Sequence, residues 1–164
     1  MEETITTNPT KKRPGFLTAL CVLSYIGSGG SALYYLYNHF TFPAGYDDKV
    51  EKLQDVLDQL PEQSGILYNS TKAGLDKMEI MLENLSAITA SNLLFAILSV
   101  IGITLMFKLK KNGFYLYSLA NMFWLVVPLY FFGFGSTNLM GVGLGLLFTI
   151  LFIILYGVNL KHME

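Results

Sequence analysis

Apolar residues fall in four long runs, at 15–42, 86–107, 114–134 and 139–160, and none of these runs holds an Asp, Glu, Lys or Arg. Each is long enough to cross the ~30 Å hydrocarbon layer as a helix. The pattern predicts an all-α integral membrane protein with four transmembrane helices. Between them lie a polar segment at 43–85, a basic turn at 108–113 and a short Gly-Ser-Thr-Asn turn at 135–138. Residues 1–14 and 161–164 form polar tails. The first run ends in a belt of aromatics (Tyr34, Tyr35, Tyr37, Phe40, Phe42), the usual composition of a headgroup interface.

The segment at 43–85 has a different period. Val50, Leu53, Leu57 and Leu60 recur at helical spacing, with Asp48, Glu51, Asp55 and Asp58 off that stripe. Asp48 with Glu51 predicts a capped helix start, and Pro61 predicts its stop. After a loop at 61–69, a second amphipathic helix is expected from Ser70, with Leu75, Met78, Leu82 and Leu85 on its stripe. Matched stripes predict an external amphipathic helical hairpin between the first two spans. The same eight apolar residues are also the candidate face for a partner protein. No proline interrupts 70–107, so the second hairpin helix is expected to continue into the second span as one rod of about 57 Å, at about 1.5 Å per residue.

Charge orients the threading. The chain is 52% hydrophobic and only 14% charged, too apolar for a water-soluble domain of 164 residues. Its net charge of -1 conceals a strong segregation of signs. Lys11, Lys12 and Arg13 precede the first run, and Lys108, Lys110 and Lys111 separate the second from the third. Such clusters are retained on the cytoplasmic side, so both termini and the basic turn are expected inside. Nine acids against four bases at 40–84 place the hairpin outside. A competing reading takes Lys11–Arg13, the apolar core at 16–26 and the small residues at 27–32 as a secretory signal, whose cleavage would leave three spans.

The runs carry little that could do chemistry. Proton relays and intramembrane hydrolases need ionisable groups or a metal at membrane depth, and the cores of these runs offer neither. His39 and His162 fall at opposite faces, and the single cysteine, Cys21, has no partner for a disulfide or metal site. No enzyme activity, cofactor or metal is expected, and no basic aromatic patch points to nucleic acid. The remaining candidates concern packing. Ser24, Ser28 and Ala32 form a small-residue ridge, and Gly141 with Gly145 makes a small-xxx-small pair, for contacts within the monomer or between copies. Asn92 and Asn121 are the strongest polar candidates at membrane depth. They are expected to bond each other or the backbone, with a small polar ligand as the alternative. Pro128 predicts a kink in the third span.

Two stretches carry a family resemblance. Arg13-Pro14-Gly15-Phe16-Leu17-Thr18-Ala19-Leu20-Cys21 runs on to Val22-Leu23-Ser24-Tyr25-Ile26-Gly27-Ser28-Gly29. Lys108-Leu109-Lys110-Lys111-Asn112-Gly113-Phe114-Tyr115-Leu116-Tyr117 forms the basic turn. Together they resemble uncharacterised small bacterial four-span membrane proteins with an RPxFLTxLCxLSxIGSG start and a KLKKxGFYLY turn. The resemblance implies a bacterial inner membrane and no particular activity. The resulting expectation is a non-catalytic accessory or scaffold subunit. It lies in the lipid bilayer and binds a membrane or periplasmic protein through its acidic hairpin or its spans. The alternative is a small homo-oligomeric channel or transporter.

Overall fold

The computed structural model describes residues 13–61 and 65–164, and among them there is no strand. Seven helices follow in order: α1 (Gly15–Thr41), α2 (Tyr46–Gln59), α3 (Ile66–Glu83), α4 (Leu85–Phe107), α5 (Lys111–Trp124), α6 (Val126–Phe132) and α7 (Ser136–Val158). Four stretches are long and apolar enough to cross a membrane: Gly15–Thr41, Leu85–Phe107, Lys111–Phe132 and Asn138–His162. They coincide with the four runs read from the sequence. Lys11 and Lys12, two of the expected anchors, lie outside the described residues.

α4 is the central helix, packed mainly against α5 and α1, and its buried positions explain why. Ile88, Asn92, Ala96, Ser99, Ile103 and Met106 recur every three or four residues, with Gly102 beside them. Ala96, Ser99 and Gly102 on this stripe are small and let neighbouring backbones come close. The closest approach joins Gly102 to Gly113 near the start of α5.

The apolar core sits at the end of the bundle that carries the basic turn. Leu17, Cys21, Ile103, Met106 and Tyr156 are fully enclosed there, together with Met163. Arg13 lies over the ring of Phe107, 3.6 Å from its centroid, and covers this core from the tail side. The last residue is fastened to the turn through its backbone. The Glu164 N–H donates to the Leu109 carbonyl and the Lys111 N–H donates to the Glu164 carbonyl, both at 2.7 Å. Leu109 has φ +61°, a left-handed conformation rare for a branched side chain. It occupies the position that glycine usually fills in a Schellman motif. Lys110 N–H reaches the Leu105 carbonyl, and Leu109 N–H reaches the Met106 carbonyl.

Pro128 interrupts the third span as expected. Its nitrogen cannot donate to the Trp124 carbonyl, so α5 stops at Trp124 and α6 resumes at Val126. Asn138 then braces α6 from α7, its Nδ2 donating to the carbonyls of Pro128 (2.9 Å) and Gly133 (2.7 Å).

Three local expectations need correction. The rod from α3 into α4 is interrupted at Asn84, which leaves helical dihedrals (φ -109°, ψ 16°). Its Nδ2 bonds back to the Ile80 carbonyl, a local competitor of the kind Asn offers a helix. The second hairpin helix starts at Ile66 rather than Ser70, because Gly65 takes φ +55° and closes the first turn by accepting from Asn69 N–H. Asp48 is not an N-cap. α2 starts at Tyr46 directly after a 3₁₀ turn at Pro43–Gly45, which puts Asp47 and Asp48 in its first turn, where they favour the helix dipole. Its end does follow the proline: Leu60 is extended, as a residue before Pro61 prefers.

Candidate functional site

Uncharged polar side chains converge between α1, α4 and α5 at mid-bundle. Asn92 and Asn121 do not bond each other. Asn92 Nδ2 donates to the Ile88 carbonyl at 2.7 Å, and its Oδ1 accepts from the indole N–H of Trp124 at 2.6 Å. Asn121 Nδ2 donates to Ser99 Oγ at 2.9 Å and to the Tyr117 carbonyl at 2.8 Å. Both amide hydrogens of Asn121 are therefore committed, and its Oδ1 is left uncommitted among the described residues.

One level toward the basic turn, Tyr156 donates to Ser24 Oγ at 2.9 Å, and Tyr117 Oη stands 3.5 Å from the same oxygen. The two tyrosine rings meet edge to face, with centroids 5.1 Å apart. Tyr25 bonds Thr104 Oγ1 at 2.8 Å; Thr104 spends its own hydrogen on the Val100 carbonyl, so Tyr25 is the donor. Among apolar side chains an unpaired hydroxyl is costly, so this network fixes α1, α4, α5 and α7 in register.

These groups border a series of cavities. The first, about 200 Å³, is lined by Ser24, Ser28, Asn92, Asn121 and Trp124, with Tyr117 at its floor and exposed Leu23, Gly27 and Ser31 at its rim. A second, about 320 Å³, shares Tyr35, Asn92 and Trp124 with it and reaches Lys77 on α3. A third, about 460 Å³, shares Lys77, Phe132 and Asn138 with the second and lies between α3 and the turn before α7.

The small-residue candidates divide. Ser24 is buried in the network and Ser28 lines the first cavity, while Ala32, a turn further on, is half-buried. A Cβ on Gly145 would stand 3.1 Å from Leu125 Cδ2 and 3.3 Å from the indole of Trp124, so Gly145 is a packing position. A Cβ on Gly141 would meet nothing within 4 Å.

On the hairpin, α2 packs along α3. Val50, Leu53, Leu57 and Leu60 are half-buried, as are Leu75, Met78 and Leu82; Leu85 is buried and belongs to α4. Those residues form no open apolar face. The acids do the opposite: Asp47, Asp48, Glu51, Asp55 and Asp58 on α2, and Asp76, Glu79 and Glu83 on α3, are all exposed. Lys108, Lys110 and Lys111 are exposed at the other end. Among the described residues, no group of His, Cys, Asp or Glu is placed to hold a metal ion.

Tyr117, Tyr156, Trp124, Ser99 and Gly102 were not singled out by sequence. Tyrosine and tryptophan in an apolar run read as interfacial aromatics. The small residues Ala96, Ser99 and Gly102 at helical spacing were a legible signal of the α4 stripe. The chain matches no protein-family model, no curated protein and no solved structure.

Proposed function

We propose that the chain is a non-catalytic integral membrane subunit that docks a partner protein through the acidic face of its α2–α3 hairpin. The observation that carries this reading is the sorting on the hairpin. Its apolar stripe is taken up by helix–helix packing, and eight carboxylates are left exposed. With eight exposed acids against exposed Lys49, Lys52 and Lys72, the hairpin surface suits a basic surface on a partner, with charge steering the encounter. The protein resides in a bacterial inner membrane with both termini and the basic turn on the cytoplasmic side. That placement follows from the basic clusters and from the resemblance carried by the first span and the turn.

Mild solubilisation from the native host followed by native mass measurement tests the partner. A stable hetero-complex is expected, and it should dissociate in the variant Glu51→Gln/Asp55→Asn/Asp58→Asn. A lone monomer overturns the reading. A reporter enzyme inserted between Pro61 and Gly65 tests the threading, since a cytosolic reporter there sinks it.

A second reading, a homo-oligomeric channel or transporter, draws on α7. Met140, Leu144, Leu147, Phe148, Leu151 and Ile154 are exposed, and Gly141 has open space beside it. Flux in liposomes that Gly141→Leu abolishes would favour this reading over the first.

A further inference from the structure

We propose that the cavity lined by Ser28, Asn121 and Trp124 is a binding site for a small, neutral, one-ring molecule carrying a hydroxyl or amide hydrogen. No charged side chain lines it. An ionised ligand would give up hydration there without gaining a partner charge. A pure hydrocarbon fits poorly for the opposite reason, because it leaves polar wall groups unpaired.

The wall specifies what remains. Asn121 has spent both amide hydrogens on Ser99 and the Tyr117 carbonyl, so it presents an acceptor. Ser28 lines the same space with no hydrogen bond of its own among the described residues. Phe95, Trp124 and Phe152 supply aromatic surface for a flat apolar body. Size sets the class: an apolar cavity of ~150 Å³ accepts benzene, so about 200 Å³ takes one substituted ring. The cavity opens sideways past Leu23, Gly27 and Ser31, which line it and are exposed, so a ligand enters from the flank of the bundle. Below it the Tyr156–Ser24–Tyr117 cluster and the buried core close the floor. The site is independent of the acidic face of the hairpin, and each can fail without the other.

Trp124 is the only tryptophan in the chain, and it lines this cavity. Its fluorescence therefore reports occupancy. The full-length protein in phosphatidylcholine liposomes is titrated with benzyl alcohol, toluene and benzylammonium, compared at equal bilayer concentration. A saturable change in Trp124 emission is expected for benzyl alcohol alone. Asn121→Leu should weaken the response about tenfold, the value of one hydrogen bond between neutral groups. Ser28→Phe, which fills the space without removing an existing hydrogen bond, should abolish saturation and serves where Asn121→Leu fails to fold. Equal saturation by toluene, no saturation by any probe, or an unchanged response in the folded variants overturns the proposal.

Discussion

Gly102 and Gly113 press backbone to backbone where α4 crosses α5: a Cβ on Gly113 would stand 2.5 Å from the Gly102 carbonyl oxygen, and one on Gly102 would stand 2.8 Å from the Tyr117 nitrogen. The obstructing atoms are main chain and cannot swing aside. Alanine at either site must push the two helices apart. Gly113→Ala and Gly102→Ala are each expected to destabilise the fold by about 1–3 kcal/mol, the cost of overpacking a filled interior. Thermal unfolding in detergent checks this. Gly143→Ala is the contrast: a Cβ there meets nothing within 4 Å, so the variant should melt no lower than the parent and, by helix propensity, slightly higher.

Tyr156 is fully enclosed and holds Ser24 at 2.9 Å across 132 residues of chain. Tyr156→Phe removes one hydroxyl and should cost about 0.5–1.5 kcal/mol, in the range of hydrogen bonds inside membranes. Tyr156→Ala also empties the space of a ring, and about 3–5 kcal/mol is expected. A double-mutant cycle with Ser24→Ala separates the hydrogen bond from the packing. Additive losses would mean that the two hydroxyls are not coupled.

Asn138 serves two carbonyls of the proline-broken third span with one amide group. Asn138→Leu should leave both without that donor at a cost of about 1–3 kcal/mol. The loosening should be local: hydrogen exchange is expected to speed up through α6 and the turn before α7 while α4 stays protected. Uniform acceleration over the bundle would refute the bracing role.

Cys21, the single cysteine, is fully buried against the core at the basic-turn end. In the folded protein it should resist a maleimide, and it should react once the bundle unfolds. Its labelling curve should follow the loss of helical signal. Tyr156→Ala should raise the labelling rate under native conditions, because the enclosing ring is gone. Rapid labelling of the native protein would show that this end of the bundle is open.

Much of the architecture was legible in order along the chain. Four charge-free runs define four helices because backbone polar groups in an apolar medium must be satisfied within the helix. Pro128 had to break the third span, and Pro61 had to end α2, for covalent reasons. The hairpin stripes were legible because 3.6-residue periodicity is a local property. Asn84 and Gly65 were not: both interrupt or start a helix through a single residue's dihedral choice, which Asn and Gly leave open.

The sequence by itself determined which segments are apolar, where they stop and where charge is allowed, since those follow from composition and covalent geometry within a few turns. Tertiary structure alone decided which small residues become contacts. Gly102 and Gly113 touch while Gly141 faces open space, although all three look alike in sequence. It also decided that Asn92 pairs with Trp124 and Asn121 with Ser99 rather than with each other. Such pairings depend on the rotation and depth of each helix against its neighbours. Those are set by the packing of the whole bundle, and no local pattern encodes them.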